Sequence, residues 1–181
     1  YTRTGNTETY ALNGSVSGTP VSATHIKLTL THPDKNVLRI SEVAAYGYVP
    51  YDENLTHGNS YTTSITPSTE CPDENNATLT DGVVVLDEDI TSPTYADTRW
   101  VGLNLTKAIR TADIVIPLGD GKGASVLNRV DFNIGSDKIG SGVYEPSITV
   151  YYSTDGTNFK EFGKYTRTGN TETYALNGSV S

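Results

Sequence analysis

The chain has no methionine, one cysteine, one tryptophan, three phenylalanines and three histidines in 181 residues. A single cysteine excludes a disulfide within the chain and says little about redox compartment. Cys71 lies in the polar stretch SITPSTECPDENNATLTDG, residues 64–82, and is expected to be an exposed, inert thiol. The histidines, His25, His32 and His57, are spread over strand, turn and polar linker, and none stands in a metal-ligand spacing such as H-E-x-x-H. There is no G-x-S-x-G elbow and no P-loop. GDGKGAS at 119–125 is Gly-rich but lacks the following helix that a phosphate cradle needs, so it reads as a turn. Catalysis is therefore not expected. Positive charge is also scarce: 13 Lys and Arg face 21 Asp and Glu, for a net charge of −8. That balance disfavours nucleic acid and anionic membrane surfaces as partners. No apolar run approaches the roughly 18–20 residues needed to cross a bilayer, so direct membrane insertion is not expected. No signal peptide is recognised, and any secretion signal would lie elsewhere in a longer parent.

What the chain does have is Thr, Ser, Asn and Val, with twelve Tyr, seventeen Gly and eight Pro. This composition predicts many short strands joined by turns, hence an all-β sandwich or barrel in one domain. The segment YTRTGNTETYALNGSVS occupies residues 1–17 and recurs without change at 165–181. Either the chain is one 164-residue period (165 minus 1) of near-identical tandem repeats, or one segment is duplicated to permute a domain. Both readings start the numbering inside a module. If the chain closes on itself, the two copies are expected to compete for one place. One is then displaced, frayed, or donated as a strand to a neighbouring copy.

In chain order, Asn13-Gly14 is a hairpin signal. THIKLTLT, 24–31, alternates Ile26, Leu28 and Leu30 with polar residues, the pattern of a half-buried strand. VLRISEVAAYGYV, 37–49, predicts a second apolar strand, and residues 50–80 read as a polar linker or long surface loop between modules. ADIVIPLGDG, 112–121, is a strand ending in a turn. SVLNRVDFNIGSD, 125–137, alternates imperfectly through Val126, Val130, Phe132 and Ile134. PSITVYYSTDGTNFKEFGKY, 146–165, is the strongest hairpin, turning at Asp155-Gly156-Thr157-Asn158. No segment carries a helical period.

Taken cyclically, LTDG (79–82), TRW (98–100), DIVIPLG (113–119), SITVYYSTDGTNF (147–159), ATHIKLTLT (23–31) and ISEVAAYG (40–47) form an ordered set. In that order the chain resembles the discoidin, or coagulation factor five/eight type C, superfamily and its carbohydrate-binding relatives. The resemblance covers most of the chain apart from about residues 48–78. It implies an antiparallel jelly-roll β-sandwich whose termini lie close together. In this reading residues 1–49 are the C-terminal half of the family order, 79–164 the N-terminal half and 165–181 the start of the next repeat.

The resemblance also implies a structural calcium ion near the LTDG loop. Asp81 and Glu42 would supply carboxylates, and carbonyls around Asn76, Thr78 and Thr98 would complete the oxygen shell. The departure from the family is VVVLDEDITSPTYA, 83–96, which lengthens the run after LTDG. Within it Asp87, Glu88 and Asp89 read as a solvated acidic loop or a second cation site. Sugar-binding relatives carry aromatic and polar groups on the loops at one end. The candidates by loop placement are Tyr95, Arg99, His57, Tyr144 and Asn133, while Trp100 is expected to pack inward. Glycosylation sequons stand at Asn13, Asn54, Asn76 and Asn104, with Asn177 as the duplicate of the first.

Two functions follow as expectations. One is a non-catalytic extracellular module for adhesion or carbohydrate binding, its partners being surface glycans and neighbouring copies. The other is a structural repeat of a filament, stalk or surface layer, built by strand exchange.

Overall fold

The computed structural model describes residues 7–13, 20–31, 36–47, 53–85, 98–120, 123–135, 138–139, 142–143, 147–168 and 173–177. Strands dominate, and the one helical element among the described residues is a short 3-10 turn at Thr78–Thr80. In chain order the first strands are β1 (Thr7–Asn13), β2 (Val21–Ala23), β3 (His25–Thr31), β4 (Asn36–Tyr46) and β5 (Thr62–Thr63). Then come β6 (Val101–Leu105), β7 (Thr111–Pro117), β8 (Ser125–Leu127) and β9 (Arg129–Gly135). The series ends with β10 (Lys138–Ile139), β11 (Gly142–Val143), β12 (Ser147–Ser153), β13 (Lys160–Thr168) and β14 (Thr173–Asn177).

Two antiparallel sheets hold the core. One has the order β1-β9-β4-β6, the other β14-β13-β12-β3-β7-β5; β2-β8 and β10-β11 form separate two-stranded sheets, and Ala23 of β2 and Leu127 of β8 join the same core. Inward residues of both larger sheets meet in one hydrophobic cluster. Ile26, Leu28, Leu30, Ile114, Ile116, Ile148 and Val150 come from the larger sheet, and Ile40, Val43, Leu103, Val130 and Phe132 from the smaller. The arrangement is all-β and sandwich-like, as the composition and period-two patterns predict.

The strongest expectations hold strand by strand. Buried and half-buried residues alternate without interruption along β3, so its threonines and Lys27 line the outer face. Lys27 there sits 4.8 Å from the Tyr151 ring centre and 3.7 Å from the Asp113 carboxylate. The hairpin β12–β13 forms with a bulge between Val150 and Tyr151. Its turn is closed by Asp155, whose Oδ1 accepts from the Asn158 and Thr157 amides at 2.7 and 2.8 Å and from the Ser153 hydroxyl at 2.8 Å. These donors, the Asn158 amide first, hold its carboxyl well below the usual range.

Other expectations are corrected. The hairpin signal Asn13-Gly14 runs into residues 14–19, which lie outside the described residues; of the described strands on either side, β1 pairs with β9 and β2 with β8. The two copies of the repeated segment do not compete for one place. The first supplies β1 beside β9, and the second supplies β14 beside β13 in the other sheet. Cys71 is not exposed; it is fully buried with Val85 and Trp100 in a second, smaller cluster. Trp100 packs inward as expected.

The polar stretch 50–80 is not a free surface loop where it is described. Its polar side chains satisfy backbone groups that the sheets leave open. The Asn59 amide donates to the carbonyls of Leu55, Pro117 and Gly119. The Thr56 hydroxyl donates to the Val43 carbonyl and accepts from the Ala45 amide, extending the hydrogen bonding of β4. Tyr61 and Leu79 join the main cluster, with Leu55 and Ile65 packed against it. Composition alone reads such a segment as a linker, because polar residues that serve as backbone partners look the same as solvated ones.

Tyr61 illustrates the economy of this segment. It is 2 % exposed, and its hydroxyl accepts from the Leu79 amide at 3.2 Å. Burial, followed by the neighbouring Asp73, raises its proton affinity, so it stays a neutral phenol. Tyr61→Phe removes the acceptor for a buried N–H, and we expect a loss of about 1–3 kcal/mol in chemical denaturation. A loss within error of zero would show that the Leu79 amide does not depend on this hydroxyl.

Candidate functional site

The site begins with a break in alternation along β4. Leu38, Ile40, Val43 and Ala45 all face the core, with one three-residue step across Ser41 and Glu42. The pairing shows why: Ile40 opposes Ile134, yet Glu42 opposes Asn133, leaving Ser41 as the extra residue of a bulge. A strict period of two from Ile40 would aim Glu42 into the apolar interior. The bulge instead puts it on the outer face of the sheet, with Ala44 and Tyr46 on β4 and Asp131 and Asn133 on β9.

A loop covers this face. The 3-10 turn Thr78–Thr80 leads to Asp81 and Gly82, and Gly82 has φ +85°, a conformation that favours glycine. The Asp81 Oδ1 accepts from the Val83 amide at 2.7 Å, which fixes the turn. The Gly82 amide donates to Glu42 Oε2 at 3.1 Å, and the Val85 amide donates to the Ser41 hydroxyl at 3.3 Å. Ser41 in turn donates to Asn133 Oδ1 at 2.6 Å. The bulge and the loop are thus tied by two hydrogen bonds that span 40 and 44 positions of sequence.

Between them is a cleft of about 160 Å³ lined by Glu42, Ala44, Tyr46, Asn54, Gly82, Val84, Asp131, Phe132 and Asn133. Glu42 is 4 % exposed, and its Oε1 has no hydrogen-bond partner among the described residues. Burial pushes its pKa up to about 7; the Gly82 amide opposes the rise, the Asp81 charge adds to it, and the adjacent Asn54 amide tempers it. At one end of the cleft Arg129 stacks on the Tyr46 ring at 4.3 Å and pairs with Asp131 at 3.0 Å. That leaves acceptor carboxylates, two amides and an aromatic side chain around one small concavity.

The residues singled out in the sequence are distributed unevenly. Glu42 and Asp81 do come together, although 39 positions separate them (81 minus 42). Asn76 and Thr78 sit on the same loop but are otherwise engaged. The Asn76 carbonyl accepts from the Tyr61 amide at 3.3 Å, and the Thr78 amide donates to Asp73 at 3.5 Å. Thr98 is exposed in the turn before Trp100 and does not line the cleft.

Of the sugar-site candidates, Asn133 lines the cleft and His57 stands at its rim, 3.4 Å from where a Cβ on Gly82 would lie. Arg99 is half-buried away from the lining. Tyr95, Tyr144 and the run Asp87, Glu88 and Asp89 lie outside the described residues. Among the sequons, Asn76 and Asn104 are exposed. Asn54 lines the cleft, its Oδ1 accepting from the Thr56 amide at 3.1 Å, and Asn13 ends β1. The sequence points to none of Tyr46, Arg129 and Asp131, and to Asn54 only as a sequon. The alternation of Val130, Phe132 and Ile134 implied that Asp131 and Asn133 face away from the core, which was the available signal.

No protein-family model, curated protein or solved structure matches this chain. The discoidin resemblance therefore rests on motif order alone. Among the described residues no group of three or more His, Cys, Asp or Glu is arranged to hold a metal ion.

The elevated pKa of Glu42 has a testable sign. Its folded value lies above its unfolded one, so the group costs nothing below about pH 4.5 and destabilises the fold as pH rises through about 7. We expect Glu42→Gln, which keeps an acceptor for Gly82, to flatten stability against pH. The variant should gain on the order of 1–3 kcal/mol over the parent at alkaline pH and nothing at acid pH. Parallel curves for the two proteins would contradict this account.

Proposed function

We propose that the chain is a non-catalytic binding module of a secreted or cell-surface protein, a discoidin-like jelly roll whose Glu42 cleft accepts hydroxyl groups of a carbohydrate. One observation carries the reading: a buried carboxylate oxygen, Glu42 Oε1, that has no hydrogen-bond partner among the described residues and faces a small cleft that also holds amides and an aromatic side chain. Sugar hydroxyls are donors that such an oxygen lacks, and a ring beside Tyr46 gains apolar contact on one face. The cleft is small enough that one sugar unit would fill it, so affinity for a single site is weak. Repetition of the module multiplies it. The sequons support an extracellular setting of this kind.

Calcium is the second reading, favoured by the Asp81 charge that raises Glu42's proton affinity, a repulsion a cation would relieve. The fit is partial. Glu42 Oε1 suits a hard cation, but Asp81 Oδ1 and the Asn76 carbonyl already accept backbone amides.

The two readings separate in one experiment. Amide chemical shifts of Gly82, Asn133 and Ala44 are followed while simple monosaccharides, and separately calcium chloride, are added. We expect saturable shifts with a sugar, lost in Glu42→Gln. Saturation by calcium alone, reversed by chelator, selects the cation. No shift from either would sink both.

A further inference from the structure

We infer that the two copies of the repeated segment are interchangeable strands, and that a second copy of this chain supplies the strand beside β9 whenever β1 is prevented from pairing there. The inference is independent of what the Glu42 cleft holds. The heptapeptide TETYALN occurs at 7–13 and again at 171–177. In the first copy all seven residues pair with β9, from Thr7 opposite Gly135 to Asn13 opposite Arg129. In the second, Thr173–Asn177 pair with Lys164–Thr168 of β13. The five residues TYALN therefore form antiparallel ladders with two unrelated partners, each time as the outermost strand of a sheet. One donor sequence has two acceptor edges.

Identity of sequence has a direct consequence. If residues 171–177 of another molecule replace β1, every residue-to-residue pairing along β9 is reproduced without a new contact. What is lost is the shorter ladder with β13 and the entropy of association. While both edges are filled within one molecule, the local concentration of the tethered strand keeps the chain closed. Disable β1, and β9 becomes an unpaired edge, a template for the extended segment that the neighbour carries. Donor and acceptor lie on different parts of the molecule, so the contact is head-to-tail and grows open chains in preference to a closed dimer.

The test uses the full chain. Tyr10→Pro places a residue without an N–H in the middle of β1, where it breaks the ladder with β9. We expect light scattering after size exclusion to show a single monomeric mass for the parent. For Tyr10→Pro the apparent mass should at least double as concentration rises. Adding Tyr174→Pro, which spoils the donor, should abolish the growth. Excess synthetic peptide YTRTGNTETYALNGSVS should return Tyr10→Pro to monomer, whereas a scrambled peptide should not. A Tyr10→Pro protein that stays folded and monomeric would overturn the inference, as would assemblies that survive Tyr174→Pro or the peptide. If Tyr10→Pro unfolds, recovery of its β-sheet circular dichroism on refolding with the peptide supports exchange, and failure to recover overturns it.

Discussion

The bulge at Ser41 is the constraint on which the outer face of the smaller sheet depends. An apolar strand with a carboxylate in its middle has two simple fates. The carboxylate is either buried in the core, at a cost of several kcal/mol, or the strand is pushed to an edge. One extra residue offers a third. Residues before the bulge and after it all reach the same interior, while Glu42 is rotated to the opposite face. The rotation only partly solves the problem, because the 79–85 loop then covers that face. Glu42 ends up buried after all, with one oxygen served by Gly82 and the other without a hydrogen-bond partner among the described residues. A group that is desolvated and only half satisfied is where binding chemistry is expected, since a ligand can supply the missing donor or charge.

The loop that covers Glu42 depends on the same bulge for its own position. Ser41 accepts from Val85 and donates to Asn133, so the extra residue is itself the link between loop and sheet. Beneath the loop, Val85 packs with Cys71 and Trp100. A segment rich in Thr, Asn and Ser thus becomes part of the fold, because its hydroxyls and amides take the hydrogen-bonding places that the strands leave open. Hydrophobic burial holds the two sheets together. Polar satisfaction holds the loop onto them.

Much of the sheet structure was legible in the sequence. The period of two in HIKLTLT, the apolar run of VLRISEVAAY and the Asp-Gly turn after SITVYYS each act through local geometry, and local geometry is what a pattern records. The nearness of Glu42 and Asp81 was legible through motif order. The cleft was not. Tyr46, Asn54, Arg129 and Asp131 meet only because of register between distant strands, and nothing near Asn54 signals that it will face Glu42. The burial of Cys71 is hidden for a related reason: its neighbours in sequence are polar, and it packs against Trp100, 29 positions later (100 minus 71). The repeated segment was visible at once, but its two separate partners depend on which edges the rest of the chain leaves open.

The central claim is that the bulge delivers Glu42 to a closed, half-satisfied place on the outer face of the sheet. Carbon-detected NMR of the Glu42 side-chain carboxyl, titrated across pH in the ligand-free protein, tests this most directly. The account predicts a midpoint near 7 that is followed in step by the Gly82 amide. A midpoint at the ordinary glutamate value of 4.5, with the Gly82 amide unmoved, would contradict it.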